Sequence, residues 1–308
     1  MLTRDCHPAP GPSPDRQWRS GGAIATCQPM LDRRVFLSGL GLALCPSVVS
    51  ATVPASPWSR DLKSSARLIA GASTGSGAGL LLSAGLEITL EPGTKTYWRT
   101  PGDSGVPPHF DWSGSTNLAE VTVRWPAPMR FPDGNGFSIG YKHAVILPLD
   151  IVARDPAAPV VLALKLDYAV CEQVCIPAKA EASLRLGAGP AADPALGERI
   201  ERSRDLVPTR EAQGLGLKVT GIDRSGPRPV ALLTAIVSTN DGTVDLFAEG
   251  PDSRWALPLP DALDDDGPVR RFRLDLDGVP RGADPLTQPL TFTLVAGARA
   301  IETTLTLS

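Results

Sequence analysis

The run Val160-Val-Leu-Ala-Leu-Lys-Leu-Asp-Tyr-Ala-Val-Cys-Glu-Gln-Val-Cys-Ile-Pro177 decides the fold. Leu162, Leu164, Leu166 and Tyr168 recur at every second position, with Lys165 and Asp167 between them. A period of two puts the apolar set on one face and the charges on the other, which describes a sandwich strand with one buried face. The same stretch ends in Cys171 and Cys175, where the strand gives way to a tight turn. Thiols of an exported chain ordinarily become a disulfide. As a staple this one is weak: closing a loop of about five residues gives roughly 2 kcal/mol on the chain-entropy model, against about 4.7 for a loop of about 100. A bridge this short points towards redox work, with a structural bridge as the other reading.

On both sides of this run, short apolar segments alternate with turn-rich ones. Pro (31) and Gly (30) are abundant and long helical periodicities are scarce, which predicts an all-β protein. Alternation and β-branched content predict strands over 66–70, 79–90, 119–125, 144–152, 160–170 and 180–186. Asp193 then offers an N-cap and Pro194 a first helical position for a short helix over 195–206, halted by Pro208. The strand rhythm resumes over 217–222, 230–238, 244–249, 269–276, 289–296 and 300–307. The expected architecture is two immunoglobulin-like β-sandwich domains, residues 60–189 and 214–308, joined by a short helical linker over 190–213. The second block has no Cys or His and carries no recognisable chemistry.

The amino terminus reads as an address. Arg33 and Arg34 directly precede an apolar stretch over 35–49, and Val49-Ser50-Ala51 offers a small-x-small cleavage site. This predicts a secretory signal over 30–51, of the twin-arginine type. The apolar stretch is about 15 residues, short of the roughly 20 that span a bilayer; an uncleaved anchor is the alternative. Leu44 before Cys45 is too large for a usual lipoprotein site. Residues 1–29, rich in Pro and Gly, read as a disordered or non-native extension, with translation starting at Met30. Cys6, His7 and Cys27 then fall outside the natural protein, and cleavage leaves Cys171 and Cys175 as the thiols of the mature chain. The formal charge of -3 and the absence of basic clusters argue against nucleic acid or an anionic membrane surface. No later segment approaches transmembrane length, so a soluble periplasmic protein is expected after cleavage.

The sequence resembles a known family. Gly85-Leu-Glu-Ile-Thr-Leu-Glu-Pro-Gly-Thr-Lys-Thr-Tyr-Trp-Arg-Thr-Pro-Gly-Asp-Ser-Gly-Val-Pro-Pro108, then Phe110-Asp-Trp112, Trp125-Pro126 and the run from Tyr168 to Pro177 resemble the periplasmic amino-terminal region of the DsbD and ScsB thiol-disulfide interchange proteins. The likeness covers roughly residues 66–186. Asp245-Leu-Phe-Ala-Glu-Gly250 more weakly resembles the domain that follows in ScsB-like members. The resemblance implies an immunoglobulin-like domain whose cysteine pair, here Cys171 and Cys175, exchanges electrons with thioredoxin-like periplasmic redox proteins. It assigns the intermolecular bond to Cys175. It also implies a mobile aromatic cap loop, corresponding to 131–141, with Phe137 the best cap candidate and Phe131 and Tyr141 at its ends. Tyr97 and Trp98 match aromatic positions near the pair. Full-length members continue into a transmembrane conduit and a thioredoxin-like domain; with the sequence ending at Ser308, a separate membrane electron donor is expected.

Read for their own chemistry, the residues leave alternatives open. Glu172 between the cysteines disfavours a thiolate, and a Cys-x-x-x-Cys turn lacks the helix terminus that activates a thioredoxin thiol. Phe137 lies among Gly134, Gly136 and Gly140, so it reads either as a mobile cap or as an ordinary core ring. Tyr97 and Trp98 read as core at least as readily as site. The run Pro101-Gly-Asp-Ser-Gly105 reads as a tight turn, and Ser104 lacks a nucleophile-elbow setting. His109, His143 and Met129, with the thiolates, raise copper binding as a second class of function. Metal-ligand spacing is absent, however, and neither metal nor cofactor is expected. A non-redox adaptor with a structural bridge is the third class.

Overall fold

In a computed structural model of the chain, the described residues are 53–307 apart from 135, 239–241 and 264–266. The expected signal with Arg33 and Arg34, and the extension before it, lie outside them. The first block opens with β1 (Ser59–Arg60), β2 (Ser64–Ala70), β3 (Leu82–Leu90), β4 (Lys95–Gly102), β5 (His109–Asp111) and β6 (Leu118–Val123). It continues with β7 (Met129–Asp133), β8 (Gly136–Lys142), β9 (Ala144–Ala153), β10 (Val160–Cys171) and β11 (Cys175–Leu186). Helix α1 (Pro194–Arg204) follows. The second block holds β12 (Gly216–Asp223), β13 (Val230–Ile236), β14 (Val244–Glu249), β15 (Asp261–Ala262), β16 (Val269–Asp275), β17 (Pro289–Ala296) and β18 (Arg299–Thr306). Apart from α1 and one short 3-10 turn at Gly77–Gly79, the regular structure of the described residues is β, as the composition predicts.

A sheet ordered β1-β2-β3-β9-β6 packs on one ordered β11-β10-β4-β8-β7, with β5 pairing β10. Leu162, Leu164, Leu166 and Tyr168 of β10 enter the shared core with Leu68, Leu86, Leu147 and Leu149 of the facing sheet. The alternation quoted at the outset thus sets which face of β10 is buried. The Tyr168 hydroxyl bonds the Ser64 hydroxyl at 2.6 Å and ties the two sheets near the cysteines.

The stretch 131–141, expected as a cap loop, lies in a β-hairpin with register from Met129↔Gly140 to Asp133↔Gly136. A Cβ at position 140 would stand 1.9 Å from the Thr96 carbonyl oxygen, so Gly140 records the close approach of β4 to β8 and not local freedom.

Helix α1 begins as expected, with the Asp193 side chain accepting from Ala195 N and Pro194 at the first position. It is docked on the first block: Ile200 is fully buried, and Arg199 and Arg204 pair with Glu87 and Asp150 of β3 and β9. In the second block, sheets β12-β13-β16-β15 and β14-β17-β18 enclose a separate core built on Leu233, Phe272, Leu274, Phe292 and Leu294. Strand β14 is buried on both faces. Leu246 and Ala248 enter the second core, while Phe247 enters the first, 5.8 Å from the Trp98 ring.

Candidate active site

The β10–β11 hairpin runs in unbroken register from Val160↔Leu186 to Cys171↔Cys175, leaving Glu172, Gln173 and Val174 as the turn. Even-numbered residues of β10 face the core, so Cys171 falls on the outer face. The next strand across places Lys95 of β4 opposite Cys171, and Lys142 of β8 opposite Lys95. Directly opposed residues share a face, so Cys175, Cys171, Lys95 and Lys142 form one row across the end of the sheet.

The two thiols have different surroundings. Cys171 is 2 % exposed although it lies on an outer face, whereas Cys175 is exposed. Their Sγ atoms are 3.2 Å apart, a side-chain adjustment away from the about 2.05 Å of a disulfide. Tyr97, two residues along β4 from Lys95, clusters with Ala169 and Cys171 on the same face. Its hydroxyl lies 2.7 Å from Cys175 Sγ. Burial, chiefly, pushes the Tyr97 phenol well up, and its contacts with the two thiols add to this. The hydroxyl therefore keeps its proton and is a ready donor to sulfur. Burial also pushes the Cys171 thiol up, assisted by its contact with Cys175 and opposed by the Tyr97 hydroxyl and the Lys95 charge. Glu172, expected to disfavour a thiolate, is exposed and paired with Lys63 at 3.3 Å.

The turn 101–105 approaches Cys175 and crosses Tyr97. The Ser104 carbonyl lies 4.0 Å from Cys175 Sγ. A Cβ on Gly105 would stand 2.6 Å from the Tyr97 ring and 2.3 Å from Pro101 Cβ, so glycine is what lets the chain pass over the tyrosine. Asp103 ties this turn to the β7–β8 hairpin: its side chain accepts from Phe137 N at 2.9 Å, and its own amide donates to the Phe137 carbonyl at 3.0 Å.

Of the residues singled out in the sequence, the structure brings together Cys171, Cys175 and Tyr97. Phe137, 39 % exposed, rests on the Arg130 guanidinium at 5.4 Å, and its link to the thiols runs through Asp103 and the turn. Phe131 is buried on the outer face beyond Lys95, with the Lys142 ammonium 4.5 Å from its ring. Trp98 and Tyr141 belong to the core, Tyr141 donating to the Pro126 carbonyl at 2.8 Å. Sequence reasoning missed Lys95 and treated Ser104 as turn alone. The two-residue spacing from Lys95 to Tyr97 was the available signal. His109 lies on β5, His143 takes φ 65 after β8 and Met129 is exposed on β7. Among the described residues no group of three or more His, Cys, Asp or Glu side chains is arranged to hold a metal ion.

Residues 76–186, which include both thiols, Tyr97 and the turn above them, match the family model described as thiol:disulfide interchange protein DsbD, N-terminal. This segment is a DsbD amino-terminal domain. The crystal structure of the N-terminal periplasmic domain of ScsB from Proteus mirabilis is similar in fold, with a TM-score of 0.66 at 21 % identity. That likeness covers 83 % of this chain and 98 % of the other, so it extends beyond the DsbD amino-terminal domain into the block that follows. No curated protein matches the chain. Among the described residues no helix is long and apolar enough to cross a membrane.

Proposed function

We propose that the DsbD amino-terminal domain of this chain carries out thiol-disulfide exchange in the periplasm, with Cys175 forming the bond to the partner and Cys171 resolving it. The observation that carries this reading is the asymmetry of the pair: one exposed sulfur with a hydroxyl donor on it, and one buried sulfur 3.2 Å behind. In the reduced form, the Cys175 thiolate attacks a partner disulfide, and the partner's other sulfur leaves as a thiolate. Cys171, as thiolate, then attacks Cys175 Sγ and the partner's second thiolate departs. Two electrons pass to the partner, the chain holds a Cys171–Cys175 disulfide, and the departing thiolates take up protons. A separate donor reverses the sequence and reloads the pair. Exchange needs near-linear approach to a sulfur, and the turn 101–105, steadied by Phe137 through Asp103, sets that access at Cys175. Thioredoxin-like proteins are the partners that the likeness to the DsbD amino-terminal domain points to. The blocks 60–189 and 214–308 are read as two immunoglobulin-like sandwiches, the second positioning the first.

Trapping tests the roles. Cys171→Ser should accumulate a mixed disulfide with a thioredoxin-like partner, and Cys175→Ser far less. Equal trapping by both removes the assignment, and trapping by neither favours an adaptor with a structural bridge.

A further inference from the structure

Lys95 occupies an uncommon place for an ammonium group. It is 8 % exposed, directly opposite Cys171 in the β4–β10 register. Opposed residues of neighbouring strands hold their Cβ atoms about 4.5–5.5 Å apart on one face. A buried charge is costly unless paired, and Asp133 supplies a carboxylate oxygen 3.1 Å from Lys95 Nζ. An ammonium has three donors, so the pairing with Asp133 leaves it able to serve a second anion. The other charged or titratable groups facing Cys171 are Cys175 from β11, Tyr97 from β4, Lys142 from β8 beyond Lys95, and Glu172 in the turn with its partner Lys63. Tyr97 is a neutral donor and Glu172 is paired at the surface. The positive side of Cys171 is therefore the Lys95 side.

We propose that Lys95, fixed by Asp133, is the counter-ion of the Cys171 thiolate during exchange. This inference rests on the exchange reading above and names a positioning residue within it. When a donor thiolate attacks Cys175 in the disulfide form, the Cys171–Cys175 bond breaks and Cys171 leaves with the electron pair. A sulfur whose thiolate is stabilised leaves faster. In the opposite direction the same charge raises the fraction of Cys171 present as the attacking thiolate. Burial alone works against both steps, and the Lys95 charge acts on Cys171 in the opposite sense.

The test is the titration of Cys171 in full-length Cys175→Ser protein, followed by the cysteine Cβ chemical shift after selective labelling. Lys95→Met should raise the midpoint by about one pH unit, and Lys95→Arg should stay close to the parent, because an opposite charge at this range favours the charged form. Asp133→Asn should lower the midpoint, since Lys95 is then undivided. A Lys95→Met midpoint equal to the parent overturns the proposal. Should Lys95→Met lose its melting transition, Asp133→Asn decides: an unmoved midpoint there overturns it equally. Mixed-disulfide trapping by Cys171→Ser reads the exchange function independently. Trapping with unmoved midpoints removes only the role of Lys95, whereas moved midpoints without trapping remove the exchange reading on which it rests.

Discussion

Tyr97 and Trp98 are neighbours in sequence with opposite roles, and strand parity separates them. Trp98 points into the core against Phe247, while Tyr97 shares the outer face with Cys171 and reaches Cys175. The resemblance set both aromatics near the pair, their own chemistry read as core more readily than as site, and neither reading told which one touched a thiol. The deciding information was the face of β10 on which Cys171 falls, counted from Leu162, together with the pairing of Lys95 to Cys171. Tyr97→Phe keeps the buried ring and removes the donor. Losing one hydrogen bond of about 1 kcal/mol from the reacting sulfur should slow mixed-disulfide formation about fivefold, with the melting temperature close to the parent. Trp98→Ala should do the reverse, costing about 3–5 kcal/mol of stability in a denaturant titration. A Tyr97→Phe protein that exchanges at the parental rate would show that the hydroxyl is only packing.

Strand β10 was readable because its pattern is local: four apolar residues at a period of two and a cysteine at its end. The β7–β8 hairpin was not, because Pro132, Gly136 and Gly140 hide the alternation and the reason for Gly140 lies on another strand. The turn 101–105 was recognised as a turn, but its place beside Cys175 depends on long-range contacts with Tyr97 and Phe137. Gly105→Ala forces this turn off the Tyr97 ring, so Cys175 should react faster with a small alkylating reagent while circular dichroism is unchanged. Asp103→Ala removes the carboxylate that accepts from Phe137 N and loosens the turn, so it should speed reduction by a small thiol several-fold and leave the fold intact. Phe137→Ala keeps both backbone bonds to Asp103 and should leave that rate close to the parent. An unchanged rate in both Asp103→Ala and Gly105→Ala removes the turn as the control of access.

Across the molecule, β4 joins the site to the second block. Six residues of β4, from Tyr97 to Gly102, span three of β8, from Gly140 to Ser138, and the surplus carries Arg99 and Thr100 outward. Arg99 pairs with Glu249 at 2.6 Å and with Glu302, while Thr100 bonds Glu249 at 2.5 Å. The longer strands of the second block were legible to within two residues, β14 and β17 among them, while the two-residue β15 was not. Their docking was not, since nothing in the alternation of β14 marks Phe247 as entering another core. Phe247→Ala should cost about 3–5 kcal/mol, and parental unfolding followed by tryptophan emission and by exchange activity should show one coincident transition. Two separated transitions would mean that the blocks are energetically independent. The central claim, that the pair is built for exchange and not as a staple, is tested most directly by its reduction potential against a glutathione buffer. The account predicts a value in the range of about -180 to -270 mV, where exchange proteins lie, and a value below about -300 mV would contradict it.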